Sequence, residues 1–327
     1  MSWRLFHFSD RSWLIPAFSI LAFPLLILRS APSPVAKKPS VEVVFCIDTT
    51  GSMAGLIEGA KQKIWSMCNQ ILGGRPMPNL KVGLIAYRDK GDDYVSRVYN
   101  LREDFDEVYS DLQTFSANGG GDTPEHVNKA LDDAINKIKW SEDRATLKII
   151  FLVGDAAAHM DYDDDVKYPI NCARATDRGI LINTLQCGND PECAKHWKDI
   201  SERAGGAYAT LPQGGGVRPV STPFDKRMAA INTELTRGII IFGEAEKREA
   251  DKKKVQAILG LSPEVAADRV GYLAKEGRMA VPYDLVEAVK SGMLRLESLR
   301  ETDFPSEMQK MTIKGRQDHL ETTTSPT

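Results

Sequence analysis

The chain has 327 residues, with 42 Lys and Arg against 45 Asp and Glu and a net charge of −3. This near-neutral balance excludes the basic footprint of a nucleic-acid binder, and the 42% hydrophobic content excludes a disordered chain. The length accommodates one large domain and a smaller addition, and no internal repeat of about 20 to 50 residues marks a solenoid.

Arg4 and Arg11 precede an apolar run from Ser12 to Leu28, the order of an export signal with a basic and then an apolar region. The run is about 17 residues long, at the short limit for a spanning helix. Pro16 and Pro24 interrupt it without excluding insertion. Residues 1–29 therefore read as a signal peptide or signal anchor, and residues 30–40, rich in Pro, Ala, Ser and Lys, as a linker. Pro34-Val35-Ala36 offers a cleavage site, and the sequence leaves both cleavage and retention open. Either route places the rest outside the cytoplasm, in the periplasm or at the cell surface, with membrane anchoring through the N-terminus if the segment is retained.

The apolar run Val43 to Ile47 marks a buried first strand over Val41 to Ile47, followed by a helix from Met53 to Leu72 that Gly73-Gly74-Arg75-Pro76 stops. Strands are expected over Leu80 to Tyr87 and, as an edge strand, Tyr94 to Leu101, with Asp89, Asp92 and Asp93 on a solvated turn between them. Helices follow over Asp104 to Thr114 and Pro124 to Lys139, with Pro124 in the first turn of the latter. Leu147 to Val153 is a strand, Val166 to Arg178 a helix and Ile180 to Cys187 a strand. Helix Pro191 to Ala204, strand Ala207 to Leu211 and helix Thr222 to Arg237 complete the alternation. The expected fold is α/β: a doubly wound, mostly parallel sheet with helices on both faces. It spans 41–238, with a helical appendage over 239–311 and a disordered tail over 312–327. In the appendage, Glu244 to Lys254 reads as a solvated charged helix. Short amphipathic helices then follow, separated by Gly260, Gly271 and Gly277, and Val281-Pro282-Tyr283-Asp284-Leu285 begins another.

Asp48-Thr49-Thr50-Gly51-Ser52 sits where the first strand gives way to a helix, and ligands in such sheets bind outside the carboxyl ends of the strands. Asp and Ser are also ordinary helix caps, but two later segments add to the signal. Gly119-Gly120-Gly121-Asp122-Thr123-Pro124-Glu125 precedes a helical pattern, and the run Leu147 to Val153 ends in Gly154-Asp155. Oxygen donors with no nearby Cys or His suit a hard cation such as Mg²⁺.

These three segments resemble a von Willebrand factor type A domain with a metal-ion-dependent adhesion site. The family's Asp-x-Ser/Thr-x-Ser motif falls on Asp48, Thr50 and Ser52, and its last metal-loop Asp on Asp155. The resemblance covers roughly Val41 to Gly238. Many relatives place a metal-binding Thr where this chain has Gly121. Asp122-Thr123-Pro124-Glu125 instead resembles the inserted domain of integrin β subunits, which makes Glu125 the favoured ligand and Thr123 its rival. Asp122 would face a second cation or support the first. The resemblance implies Mg²⁺, or Mn²⁺ or Ca²⁺, with an open coordination position that a carboxylate on a partner protein or surface polymer fills.

His159, Asp161 and Asp163 to Asp165 follow the last loop, as a rim of the site or as acids favoured at a helix N-terminus. Among the five cysteines, Cys46 and Cys68 are expected buried, and Cys187, Cys193 and Cys172 could supply one disulfide. The leading function is an extracytoplasmic binding module and not an enzyme. One alternative is an assembly component acting through the helical tail. A metal-dependent hydrolase is the other, but it lacks the second Asp of a haloacid-dehalogenase site, since Thr50 stands there, and no motif places a base beside Ser52. No phosphate-binding Gly-x-x-x-x-Gly-Lys-Ser/Thr loop supports an ATPase.

Overall fold

Val43, Phe45 and Ile47 alternate along the first strand with Val44 and Cys46, and all five are buried, so this strand must be covered on both faces. A computed structural model of the chain, describing residues 38–121, 123–213, 221–276 and 283–324, shows how. Strand β1 (Ser40–Asp48) leads through a 3₁₀ turn at Gly51–Met53 into α1 (Ala54–Leu72), followed by β2 (Asn79–Tyr87), β3 (Ser96–Arg102), α2 (Phe105–Gln113) and α3 (Val127–Asn136). Then come β4 (Leu147–Gly154), α4 (Tyr168–Asp177), β5 (Ile180–Cys187), α5 (Pro191–Arg203), β6 (Tyr208–Leu211) and α6 (Asp225–Arg237). The C-terminal helices are α7 (Ala245–Leu259), α8 (Pro263–Glu276), α9 (Leu285–Lys290), α10 (Ser306–Gln309) and α11 (Ile313–Thr324).

The sheet order is β3-β2-β1-β4-β5-β6. Only β3 runs antiparallel to its neighbour. One face packs Val43, Phe45 and Ile47 against α1, α2 and α8, and the other packs Val44, Cys46, Ile150 and Leu152 against α3, α4 and α5. From β1 the chain proceeds to β2 on one side and later continues from β4 on the other. The β1/β4 boundary is therefore the topological switch point, where a crevice opens outside the carboxyl ends of the strands. Ile47 pairs with Val153, which brings Asp48 and Asp155 to that crevice.

The expected doubly wound α/β fold is present, and several local expectations are corrected. Helix α3 begins at Val127, not Pro124. Glu125 instead forms a parallel bridge with Ala158, its N–H donating to the Ala157 carbonyl at 3.0 Å and its own carbonyl accepting from His159 at 3.2 Å. Those bonds hold Glu125 in extended backbone, so the helix starts after it. Gly271 lies inside α8 rather than between helices, and Asp251 and Lys254 of the charged helix are buried and paired at 2.8 Å. The tail expected to be disordered forms α11. There the Arg316 guanidinium donates to the carbonyls of Met308 and Gln309 at 3.1 and 2.8 Å and lies 3.8 Å from the Phe304 ring centre. All five cysteines are buried free thiols, so Cys187, Cys193 and Cys172 form no bridge. The export segment, Asp122, Gly277 and Val281-Pro282 lie outside the described residues.

Helix α8 belongs to the main core. Val265, Tyr272 and Leu273 are buried with Trp65 and Phe105, and the Tyr272 ring sits 5.2 Å from Trp65 and 4.7 Å from Phe105. Burial of Leu273 alone contributes about 1.5–3 kcal/mol.

Candidate metal centre

At the end of β1 the Asp48 carboxylate is fully buried. Its Oδ1 accepts from the Thr50 N–H at 2.8 Å and the Thr50 hydroxyl at 2.7 Å, whereas Oδ2 has no partner. Thr50 is buried, and its hydroxyl lies 3.5 Å from that of Ser52, which is exposed on the 3₁₀ turn. This first loop is laced to the glycine loop: Gly51 N–H donates to the Gly119 carbonyl and Asn118 N–H to the Thr49 carbonyl, each at 3.1 Å. Below it the Arg88 guanidinium, also buried, donates to the carbonyls of Thr49 at 3.0 Å and Ser116 at 2.9 Å.

Gly120 has φ +71°, a conformation that favours glycine. A Cβ there would stand 2.9 Å from the Thr50 Cβ and 3.3 Å from Glu125 Oε1, so the glycine lets these two side chains approach. Its N–H donates to Asp92 at 3.1 Å. Gly120→Ala should cost about 1–2 kcal/mol in backbone strain alone and weaken divalent-cation binding. Thermal melts with and without Mg²⁺ measure both effects, and an unchanged Mg²⁺ response would count against the close approach.

Glu125 is buried, and its Oε2 has no hydrogen-bond partner. Asp155 stands half-buried across the crevice, accepting from the Gln213 amide at 2.5 Å. Gly154 leaves room beside Asp48 and Tyr87, since a Cβ at that position would lie 3.2 Å from Asp48 Oδ2 and 2.5 Å from the Tyr87 hydroxyl. Thr50, Ser52, Thr123, Glu125 and Asp155 all line one cavity of about 400 Å³, together with Asp190 and Glu192 at the start of α5. Thr123 is exposed on the cavity wall, and among the described residues of this loop Glu125 is the one with a buried, unpartnered carboxylate oxygen.

The electrostatics are those of a site short of positive charge. Burial, with Asp155 adding and the Thr50 bonds and Arg88 opposing, raises the Asp48 carboxyl from its ordinary 3.8 to about 7. Burial followed by the fields of Asp48, Asp89, Asp92 and Asp155 raises Glu125 from 4.5 to about 9. Like charges crowded out of water make ionisation unfavourable, and a bound cation would reverse that. Among the described residues, no three His, Cys, Asp or Glu side chains already converge as a metal cluster. The oxygens gathered here are mixed, the Thr50 and Ser52 hydroxyls beside carboxylates, and that chemistry fits a hard ion that keeps some of its waters.

Sequence reading missed part of this arrangement. Asp89, expected on a solvated turn, is buried; its Oδ2 accepts from the Tyr162 hydroxyl at 2.6 Å and lies 3.4 Å from His159 Nε2. Asp92 holds the glycine loop. The available signal was position: both follow β2, which pairs with β1 at the same end of the sheet as Asp48. Asp163 to Asp165 precede α4, whose N-cap is Lys167, rather than occupying its first turn. The Asp165 carboxylate lies 3.7 Å from His126 Nδ1, and Asp164 pairs with Lys90 at 2.5 Å. His159, with Asp161 at 2.7 Å on Nδ1, is a hydrogen-bonded loop residue.

The von Willebrand factor A domain family matches residues 42–216, more than half of the chain, and the chain belongs to that family. Membership makes it a protein-interaction module, a class whose domains are generally not enzymes. Among solved structures, the SpRpn10 VWA domain is similar at 15% identity with a TM-score of 0.41, over 54% of this chain and 89% of its own. Proximal thread matrix protein 1 from the mussel byssus is similar at 11% identity with a TM-score of 0.40, over 54% of this chain and 42% of its own length. No curated protein matches.

Proposed function

We propose that this chain captures a protein or surface partner through a divalent cation, Mg²⁺ or a similar ion, with a carboxylate of the partner completing the coordination. The observation that carries this reading is the pair of buried, unpartnered carboxylate oxygens, Asp48 Oδ2 and Glu125 Oε2, of which Glu125 lines the solvent-open cavity and Asp48 lies behind its wall residue Thr50, bonded to that hydroxyl. Buried polar atoms left without partners mark an unmade interaction, and an ion is the partner their charge calls for. Asp48, Thr50, Ser52, Glu125 and Asp155 would hold the ion, with Thr123 or Asp122 as rivals of Glu125 for the middle position. Bound there, the ion would supply an electrophilic face to an incoming oxygen, and removal of water from that contact strengthens it. Arg4, Arg11 and the apolar run Ser12 to Leu28 support export, so the partner is proposed to lie in the periplasm or at the cell surface.

A short capped peptide carrying one Glu should bind the protein in Mg²⁺, dissociate on chelation, and fail to bind when that Glu is Gln. Fluorescence anisotropy of the labelled peptides reads all three. Equal binding of the Glu and Gln peptides, or binding that survives chelation, would contradict the carboxylate-on-metal reading.

A further inference from the structure

At the amino ends of β4 and β5, the opposite end of the sheet from the candidate metal centre, lies a second cavity of about 700 Å³. It opens between the loop that joins α3 to β4 and the turn from α4 into β5. Four cationic residues line it, Lys139, Arg144, Lys148 and Arg178, beside the half-buried Trp140. Two acids, Glu142 and Asp177, line it as well, and both are exposed. The size is that of a small-molecule site. We infer that this cavity binds a small organic molecule bearing a phosphate group, whose oxygens the cations hold while Trp140 packs on its body. The site is independent of the reading of the metal centre.

Lys148 carries the inference. It is only 6% exposed, yet among the described residues no carboxylate or carbonyl accepts from its ammonium. Glu42 is its neighbour in register on β1, but Glu42 Oε2 accepts from the Ser141 N–H at 2.8 Å. A charge taken this far out of water is costly unless it is paired, and an anion in the cavity would supply the pairing. Two of the other cations have a structural role. Arg178 Nη1 donates to the Ile135 carbonyl at 2.5 Å, and Lys139 follows the end of α3, where positive charge complements the helix dipole. That role accounts neither for Lys148, which stands on β4, nor for Arg144, exposed on the loop before it. A phosphate matches the four cations better than a carboxylate does, because a phosphomonoester carries about two charges on three acceptor oxygens. Guanidinium groups pair with such oxygens two at a time.

Calorimetric titration of the full chain, freed of metal ions and at low ionic strength, with phenyl phosphate, inorganic phosphate and benzoate tests the assignment. Phenyl phosphate should bind saturably and more tightly than either of the others, because benzoate brings one charge and inorganic phosphate brings no ring. Lys148→Met should weaken phenyl phosphate about tenfold or more, the worth of a hydrogen bond to a charged group. Arg144→Ala should weaken it about threefold, as for an exposed charge pair. Arg144 is an exposed loop residue, so its replacement reads binding and not folding, and thermal melts check that Lys148→Met is folded. Lys247→Ala, which removes an exposed cation on α7, should leave binding unchanged. The assignment would be overturned by absence of saturable phenyl phosphate binding, by binding that neither Lys148→Met nor Arg144→Ala alters, or by equal weakening in Lys247→Ala. Benzoate binding as tightly as phenyl phosphate would overturn the choice of phosphate. Inorganic phosphate binding as tightly would leave a bare-ion site and overturn the organic ligand.

Discussion

Replacing Arg269 by alanine should destabilise the protein by about 3–5 kcal/mol, the range for removing one partner of a buried ion pair. Arg269 and Asp106 are both almost fully buried. The guanidinium meets the carboxylate with two bonds, Nε to Oδ1 at 2.7 Å and Nη2 to Oδ2 at 2.6 Å. Nη1 donates to Asn232 at 2.7 Å, and the Tyr283 hydroxyl donates to Asp106 at 3.2 Å. The network joins α2, α6, α8 and the start of α9, so without the arginine the tyrosine is the one partner Asp106 keeps among the described residues. Denaturant unfolding measures the loss. A double substitution, Arg269→Met with Asp106→Asn, should recover part of it, because the orphaned charge is the main penalty. A fragment ending at Gly238 should be destabilised for the same reason and also uncover Trp65 and Phe105. Wild-type stability in either variant would mean that the helical tail is separable from the sheet.

Asp48→Asn should raise the stability of the metal-free protein by about 1 kcal/mol, within the roughly 1–3 kcal/mol that an unsatisfied buried group costs, and abolish stabilisation by Mg²⁺. The wild-type site holds Asp48 and Glu125 against each other and against Asp155. In the metal-free chain burial and that repulsion are what hold both carboxyls above their ordinary values, and the cost of ionising the site falls when one carboxylate is replaced. The pH dependence has a definite sign. Both folded carboxyls sit above their ordinary values, Asp48 at about 7 and Glu125 at about 9. Between the unfolded and folded values the native state therefore binds more protons, and its stability declines with rising pH. The contribution is fully present below 3.8 for Asp48 and 4.5 for Glu125, and is lost as pH climbs through about 7 and then about 9. A cation displaces those protons, so metal affinity should rise across the same window. Melting temperatures in chelator and in Mg²⁺ should diverge as pH increases. Parallel curves would show that these carboxyls are not coupled to a cation.

Much of the fold was legible because its signals are local. The apolar run ending at Ile47 corresponds to a strand buried on both faces, and the run ending at Val153 to its neighbour, whose Ile149 and Phe151 are half-buried; their terminal Asp48 and Gly154-Asp155 mark the crevice directly. Legibility failed where the deciding contact is distant. Asp89 reads as a solvated turn residue until Tyr162, 73 positions later, donates to it. Arg269 and Asp106 are 163 positions apart, and nothing in either neighbourhood announces the pair. Pro124 pointed to a helix start because proline suits that turn, but the backbone bridge from Glu125 to Ala158 prevailed. The polar composition after Thr312 concealed α11, whose anchor is Arg316 stacked on Phe304. In each case a tertiary interaction overrode a correct local preference.

Calorimetric titration of the intact protein with Mg²⁺, beside Asp48→Asn and Glu125→Gln, tests the central claim most directly. The expected result is a single saturable binding event with proton release in the unaltered chain, absent from both variants. Loss with Asp48→Asn alone would move the middle ligand to Thr123 or Asp122. No saturable binding by the unaltered protein, or undiminished binding by Asp48→Asn, would contradict the cation-dependent mechanism.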